Sequence, residues 1–216
     1  MTGKSTALVL GASRGLGLGL AQEWCGRGWN VIATRRRASP GLEALTKQYP
    51  DTLEVETADI DYAESVRALR SRLDRRRLDV LFLNAGVSYS PGATPAKIQE
   101  GAFLGMMLTN VLAPARAAEI FEDIVAPDGV IAAMSSGLGS ISQSGGNWEL
   151  YSASKAALNM LMKCFAAKRA DSARAILLVA PGWVRTDMGG SHAALSVEES
   201  VAGIVAMVRR RGAGQG

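Results

Sequence analysis

Apolar runs alternate with segments of helical periodicity along the whole chain. Six of these runs are almost continuously apolar, as expected for strands buried on both faces of a parallel sheet. The predicted strands span residues 6–10, 30–34, 53–57, 78–83, 129–134 and 174–180. The predicted helices span residues 15–28, 41–49, 61–76, 97–124, 150–170 and 196–210, with 97–124 as two helices or one bent helix. This alternation predicts an α/β fold, with helices on both faces of a doubly wound parallel sheet.

The length of 216 residues suits one domain, and we assign residues 1–216 to it. The end of the chain, RRRGAGQG at 209–216, is predicted to be a flexible tail. No apolar run approaches the length of a membrane span, and no segment has the pattern of a signal peptide. We therefore predict a cytoplasmic protein with no membrane partner.

The formal net charge of +4 comes with three arginine clusters, at 35–37, 75–77 and 209–211. The chain has no nucleic-acid-binding motif and few aromatic residues, so we predict no nucleic-acid partner. It has one histidine and two distant cysteines. These are too few for a zinc site or a disulfide framework, and no metal is predicted.

The loop after the first predicted strand is rich in glycine. Gly11 follows the strand, and Gly15 and Gly17 open the next helix. Glycine lets the backbone turn tightly and approach a phosphate, which the N–H groups of a helix N-terminus can then bind. The spacing G-x-x-x-G-x-G differs from the commoner G-x-G-x-x-G fingerprint of dinucleotide sites. Its position nevertheless favours a dinucleotide-binding loop.

The same loop contains G-x-S-x-G, the signature of a serine hydrolase's nucleophile elbow. Ser13, Asp187 and His192 follow the chain order of a hydrolase triad. However, the elbow normally follows a central strand with much of the sheet already built, whereas this loop follows the first strand. We therefore treat the hydrolase as the weaker hypothesis.

The end of the second predicted strand reads VIATRRR. Sites for NAD usually carry an acidic residue here, on the ribose 2′-hydroxyl, but the next acid in this chain is Glu43. The guanidinium groups of Arg35 and Arg36 suit a 2′-phosphate, and Arg14 could close over the same group. This pattern predicts NADP(H) as the cofactor. The alternative is that these arginines are simply exposed.

The stretch YSASK places Tyr151 and Lys155 four residues apart, on one face of a predicted helix. A phenol has a pKa near 10, and a neighbouring ammonium should lower it, which would make Tyr151 a usable general acid or base. Ser135 and Ser136 follow the fifth predicted strand, where a hydroxyl could hydrogen-bond a substrate carbonyl. A plain Ser/Gly turn is the alternative for that segment.

Taken together and in this order, the motifs resemble those of the short-chain dehydrogenase/reductase family over nearly the whole chain. The family's Thr-Gly-x-x-x-Gly-x-Gly matches residues 10–17, its Asn-Asn-Ala-Gly matches 83–86, its Tyr-x-x-x-Lys matches 151–155, and its Pro-Gly matches 181–182. The segments SSGLGSIS, ASKAALNM and PGWVRTDMGG are similar to the C-factor (C-signal) and sniffer-like carbonyl reductase branch. The resemblance implies a Rossmann-type fold.

The resemblance also implies roles for individual residues. Tyr151 would pass a proton, Lys155 would lower its pKa and hold the nicotinamide ribose, Ser136 would be the active-site serine, and Asn110 would complete a proton relay through water. Asp59 would contact adenine, and Thr186 would hold the carboxamide. The cofactor contacts implied are Gly11, Ser13, Arg14, Gly15, Leu16, Gly17, Arg35, Arg36, Asp59, Ile60, Asn84, Ala85, Gly86, Tyr151, Lys155, Pro181, Gly182, Val184 and Thr186.

The chain departs from the family pattern in five places. Leu10 replaces the threonine of the first motif, and Leu83 replaces the first asparagine of the second. Ser136 and Tyr151 are two residues further apart than usual, and the segment after Asp187 is short. The family's seventh strand has no counterpart, so six strands are predicted. The family's dimer interface implies a homodimer, through the faces at 102–118 and 156–167.

The substrate is expected between residues 87–97, 137–150 and 183–195. Trp148, Trp183, Met188 and Leu150 suggest a partly apolar carbonyl compound. We predict an NADPH-dependent oxidoreductase that interconverts a carbonyl and an alcohol by hydride transfer. The alternative is a non-catalytic or weakly catalytic dinucleotide-binding protein with a signalling or regulatory role.

Overall fold

Six parallel strands form one sheet in the computed structural model, which describes residues 4–212 and the side chains of residues 4–210. The strands are β1 (Thr6–Leu10), β2 (Asn30–Arg35), β3 (Leu53–Thr57), β4 (Leu78–Leu83), β5 (Val125–Met134) and β6 (Ala175–Val179). Their spatial order is β3-β2-β1-β4-β5-β6. The sheet is therefore built outward in two directions from β1 and β4, and the predicted fold class is confirmed.

The predicted helices also form, with small shifts at their ends. They are α1 (Gly15–Gly26), α2 (Pro40–Gln48), α3 (Ala63–Arg72), α4 (Glu100–Met107), α5 (Ala113–Phe121), α6 (Glu149–Ala167) and α7 (Val197–Gly212). The predicted flexible tail at 209–216 is wrong at its beginning, because α7 continues through Gly212. Residues 213–216 lie outside the described part of the chain.

Consecutive residues of β1 point into two different hydrophobic cores. Ala7 and Val9 pack with Trp24 in the core beneath α1, α2 and α7. Leu8 and Leu10 pack in the second core, beneath α3, α5 and α6. Because side chains alternate across a strand, a strand covered on both faces needs apolar residues at every position. This is why the strands are continuous apolar runs in the sequence.

The segment predicted as two helices or one bent helix is a nearly continuous helical rod with an irregular middle. A π-helical turn, Leu108–Leu112, joins α4 to α5, and a short 3₁₀ turn, Glu122–Ile124, leads into β5. Asn110 lies in the π turn and is fully buried. Single π turns are often found at functional sites.

The absence of a seventh strand leaves β6 with one neighbour within residues 4–212. Leu178 is 42% exposed at this edge of the sheet. At the opposite edge, Glu54 and Glu56 of β3 pair with Arg76 and Arg72. Among the described residues, no helix has both the length and the apolar character required to cross a membrane.

Candidate active site

A cleft of about 1220 Å³ opens at the carboxyl ends of the strands. Its lining comes mainly from the loops that follow β1, β2, β4, β5 and β6, and it lies over the point where the strand order reverses between β1 and β4. Ligands of open α/β sheets bind at this position. The cleft is therefore the candidate active site.

Two glycines let the first loop pack against its neighbours. Gly11 has φ +88°, and a Cβ built there would lie 2.7 Å from the Cβ of Ala85. A Cβ at Gly17 would lie 2.1 Å from the carbonyl oxygen of Gly11. Asn84 donates to that same oxygen at 2.7 Å. The glycines thus allow the loop after β1, the loop after β4 and the start of α1 to meet without side chains between them.

The N-terminus of α1 faces the cleft. Arg14, the N-cap residue, makes no side-chain capping hydrogen bond, and the first turn of α1 holds no acidic residue. A helix end of this kind offers N–H groups and a positive dipole end to an anion. Thr34 accepts from the Gly11 N–H at 2.9 Å, and Ser39 donates to the Ser13 carbonyl at 2.6 Å. These contacts with the end of β2 and the cap of α2 hold the loop in place.

The arginines after β2 are already near carboxylates. Arg35 pairs with Glu43 at 3.0 Å, and an Arg36 nitrogen lies 3.7 Å from Asp61 and 3.9 Å from Asp59. Both arginines line the cleft. Arg36 is therefore only weakly paired with these carboxylates, and its guanidinium is available to bind an anionic group of a ligand.

Asp61, and not Asp59, lines this end of the cleft. Asp59 instead accepts a hydrogen bond from the Asp61 N–H at 3.1 Å. One carboxylate oxygen of Asp61 is buried and has no hydrogen-bond partner within the described chain. A buried acceptor without a partner is costly, so this oxygen is suited to a donor from a ligand.

Arg14 pairs with Asp187 across the cleft at 2.6 Å, and both side chains are 77% exposed. The pair joins the loop after β1 to the loop after β6. Arg14 lines the cleft with Arg35 and Arg36, and its predicted closure over the same ligand group stays a prediction. No described hydrogen bond joins Ser13 to His192, and Asp187 is engaged by Arg14. The hydrolase hypothesis therefore has no support from the geometry.

Tyr151 and Lys155 lie on one face of α6, with the Lys155 ammonium 5.6 Å from the centre of the phenol ring. Lys155 is buried and donates to the Met134 carbonyl at 2.8 Å. Burial lowers the pKa of Lys155 to about 8 and raises the pKa of Tyr151 to about 12. The expected lowering of the Tyr151 pKa is thus wrong for the protein alone, because desolvation of the phenolate outweighs the neighbouring charge.

This burial predicts a pH-dependent stability. From the ordinary lysine value of 10.5 down to about 8, the unfolded chain binds the Lys155 proton and the native protein does not. The contribution of Lys155 to the free energy of unfolding should therefore rise with pH across this window, by about 3 kcal/mol in total. Burial raises the pKa of the Cys25 thiol to about 11, which opposes this rise above pH 9. Above pH 10 the raised pKa of Tyr151 acts in the opposite direction.

Urea unfolding of the cofactor-free protein from pH 7 to pH 10 measures this slope. Lys155→Met removes the ammonium and keeps the apolar stem, so the stability of the variant relative to the wild type should fall steadily over that range. A pH-independent difference between the two proteins would contradict a depressed Lys155 pKa.

The two serines after β5 have different partners. Ser136 lines the cleft, and its hydroxyl accepts from the Leu138 N–H at 3.2 Å. The hydroxyl of Ser135 donates to Asn159 at 2.6 Å, and Asn159 donates to the Gly139 carbonyl at 3.3 Å. Asn159 therefore locks the turn after β5 onto α6. Ser136 keeps its hydroxyl hydrogen for a ligand.

Asn110 is fully buried and does not line the cleft. Its amide donates to the Val87 carbonyl at 2.8 Å and to Ser154 at 3.0 Å, and its oxygen accepts from the Val87 N–H at 2.8 Å. The side chain thus ties the loop after β4 to α6. The predicted relay through water stays a prediction.

The wall beside Tyr151 is largely apolar. Trp148, Trp183 and Met188 line it, as predicted, and so does Leu138, whereas the predicted Leu150 does not. Of the predicted stretch 87–97, only Val87 lines the cleft. Pro95 and Ile98 instead line a separate groove of about 310 Å³ with Leu150.

Most of the predicted cofactor contacts line the cleft. Those that do are Gly11, Ser13, Arg14, Gly15, Leu16, Arg35, Arg36, Ile60, Asn84, Ala85, Gly86, Tyr151, Lys155, Pro181, Gly182, Val184 and Thr186. Gly17 and Asp59 do not line the cleft. Six lining residues were not predicted: Thr34, Ala58, Asp61, Thr109, Met134 and Ala180. Thr34 could have been predicted as a lining residue, because it is the last residue of the predicted strand 30–34 and the carboxyl ends of the strands form the cleft.

The fold and the cleft together define a dinucleotide-binding α/β protein with a Tyr–Lys pair in its cleft. The chain belongs to the short chain dehydrogenase family, whose model matches residues 5–194. The predicted family is thereby confirmed.

Three solved structures are similar over almost the whole chain. A Burkholderia multivorans protein, described as a short-chain dehydrogenase/reductase with bound NADP, is 46% identical, with 97% of this chain and 92% of that chain covered and a TM-score of 0.95. A carbonyl reductase from Pseudomonas aeruginosa in complex with NADP is 39% identical, with 97% and 93% covered and a TM-score of 0.90.

The third is the carbonyl reductase Sniffer of Drosophila melanogaster, which is 28% identical, with 95% and 92% covered and a TM-score of 0.88. The predicted likeness to the sniffer-like carbonyl reductase branch is therefore confirmed. None of these likenesses supports the alternative of a non-catalytic signalling protein.

Proposed function

We propose that this protein is an NADPH-dependent carbonyl reductase, in which Tyr151 donates the proton and Lys155 supports it. The observation that carries the proposal is the Tyr151–Lys155 pair, which lines the same cleft as the glycine loop. Two similar structures hold NADP, and two similar proteins are carbonyl reductases.

The residues of the cleft fit NADP(H). The N-terminus of α1 and the glycine loop suit the pyrophosphate, since a Cβ at Gly11 or Gly17 would clash with neighbouring atoms. The unpartnered oxygen of Asp61 suits the amino group of adenine. Arg36, with only weak carboxylate pairing, suits the 2′-phosphate. When bound, the reduced nicotinamide supplies the hydride.

The protein's own residues then handle the proton. The raised pKa of Tyr151 keeps the phenol protonated at neutral pH, ready to donate to the carbonyl oxygen of a substrate. The Ser136 hydroxyl can donate a second hydrogen bond to the same oxygen. The Lys155 ammonium stabilises the phenolate that forms, and its pKa near 8 leaves it mostly charged at pH 7.

The proposal extends to substrate, partner and compartment. The apolar wall of Leu138, Trp183 and Met188 suits a neutral, partly apolar carbonyl compound.

The exposed Leu104, Leu112, Met160 and Leu161 lie on α4, the π turn and α6, where a homodimer would bury them. Sedimentation equilibrium tests the dimer. Two free cysteines suit the reducing cytoplasm.

Calorimetric titration with NADPH and NADH tests the cofactor. The wild type should bind NADPH more tightly than NADH. Arg36→Ala should weaken NADPH binding about 10- to 100-fold, since hydrogen bonds to charged groups contribute about 1.5–3 kcal/mol. NADH binding should change little in the variant, because NADH has no 2′-phosphate.

Arg67→Ala is the matched control. Arg67 pairs with Glu64 on the outer face of α3, and Arg67 is not part of the cleft lining. An equal loss of NADPH and NADH binding in Arg36→Ala would refute the assignment of Arg36 to the 2′-phosphate.

A further inference from the structure

Trp148 has a backbone conformation that its side chain disfavours. Its φ of 53° and ψ of 43° lie in the left-handed region. Only one other non-glycine residue among those described has a positive φ, Ser90 at 50°. A left-handed backbone conformation is strained for a residue with a Cβ, and such outliers persist only when surrounding contacts impose them.

Hydrogen bonds on both sides impose this conformation. The Ser152 N–H donates to the Trp148 carbonyl at 2.8 Å, and the Ser152 hydroxyl donates to the Asn147 carbonyl at 3.1 Å. Gly146, with φ +78°, lets the preceding chain turn toward α6. Trp148 is therefore the N-cap residue of α6, but its side chain makes no capping hydrogen bond. The indole thus has no role in ending the helix.

The strained backbone brings the indole to the catalytic phenol. The ring centres of Trp148 and Tyr151 are 5.8 Å apart, with the ring planes at 75°. This edge-to-face arrangement is the favourable one for two aromatic rings. Trp148 also lines the cleft, so one side chain contacts both the proton donor and the space beside it.

The charged groups of the surrounding wall are already paired. Asp187 pairs with Arg14, and Arg185 donates to the Ala193 carbonyl at 2.8 Å. The apolar side chains of Leu138, Trp183 and Met188 line the same cleft as the indole. A flat apolar ring next to a carbonyl group would contact this surface, whereas a short aliphatic chain would leave much of it uncovered.

We propose that Trp148 is a specificity-determining residue, whose strained placement beside Tyr151 selects ring-bearing carbonyl substrates over short aliphatic ones. The inference rests on the proposed carbonyl reduction.

The test compares Trp148→Gly with the wild type on benzaldehyde and propanal, with NADPH. In Trp148→Gly, kcat/KM for benzaldehyde should fall about 10- to 100-fold, mainly through KM, as for a lost apolar contact of a few kcal/mol. The value for propanal should change little. The melting temperature should not fall, because glycine relieves the left-handed strain.

Three further variants sharpen the result. Trp148→Phe should retain part of the preference for benzaldehyde, since a benzyl ring can still meet Tyr151 edge-on. Ser90→Gly is the matched control, since it relieves the same backbone strain at a residue outside the cleft lining. Its ratio of the two kcat/KM values should equal that of the wild type. Trp148→Asn, which tolerates the left-handed region, repeats the comparison if the glycine variant is poorly folded.

An equal fall for both aldehydes in Trp148→Gly and Trp148→Asn would overturn the assignment, as it would indicate a general structural role. A wild type that binds NADPH but reduces neither aldehyde would overturn the proposed function itself, and the assignment with it.

Discussion

Tyr151→Phe should lower kcat for carbonyl reduction about 10²- to 10⁴-fold, which is the usual contribution of a positioned general acid. The substitution removes one hydroxyl and keeps the ring that packs against Trp148. NADPH affinity should therefore be unchanged. Stopped-flow measurement of NADPH oxidation under single-turnover conditions separates the chemical step from binding.

Tyr89→Phe is the matched control for this prediction. It removes the same hydroxyl from a tyrosine that is 41% exposed and lies outside the cleft lining. Its kcat should equal that of the wild type. Equal turnover by Tyr151→Phe and the wild type would refute the proton transfer from Tyr151 and leave the fold and cofactor site as assigned.

Gly17→Ala should destabilise the protein by about 3 kcal/mol and greatly weaken NADPH binding, as expected for overpacking against fixed backbone. The new Cβ would lie 2.1 Å from the Gly11 carbonyl oxygen and 2.5 Å from the Asn84 amide. The Gly11 oxygen cannot move without displacing the glycine loop, and the Asn84 amide can move only by giving up its hydrogen bond to that oxygen. Urea unfolding and calorimetric titration measure the two effects.

Gly203→Ala makes the same change inside another helix and should have the opposite sign. A Cβ at Gly203 in α7 has no atom within 4 Å. Alanine should stabilise this exposed helical position by about 0.5–1 kcal/mol. If Gly17→Ala were also neutral or stabilising, the close packing of the loop would not be what requires glycine there.

The fold could be predicted because its determinants are local. Most strands are apolar runs with nearly the predicted ends, although β3 carries Glu54 and Glu56, and the parallel arrangement follows from the helices between the strands. The beginning of β5 was missed by four residues, because Val125 pairs with Leu78 before an irregularity in the register. That pairing is a tertiary contact without a local signal.

The site was predictable where a motif fixes both residue and position, as for Gly11, Asn84, Tyr151 and Lys155. It was not predictable where two neighbouring residues compete for one role. Asp59 and Asp61 both follow β3, and only the packing shows that Asp61 turns toward the cleft. The partner of Arg14 lies 173 residues away, at Asp187, and no spacing rule indicates it.

The pKa of Tyr151 shows the same limit. The four-residue spacing from Lys155 indicates that the charge is close, but the sequence does not indicate how deeply the phenol is buried. Desolvation proves to be the larger effect in the protein alone. Charge proximity is a local property, whereas burial depends on the whole fold.

The π turn at Leu108–Leu112 changes which side of the helical rod, from α4 to α5, faces the sheet. A π turn adds one residue to a helix that otherwise repeats every 3.6 residues, so the two halves are out of phase by about 100°. The half with Ala117 and Phe121 keeps its register against the sheet, whereas Leu104, in the other half, is exposed. The π turn therefore lets one rod pack on the sheet at one end and present Leu104 on the face proposed for the dimer at the other, and Asn110 sits where the two registers meet.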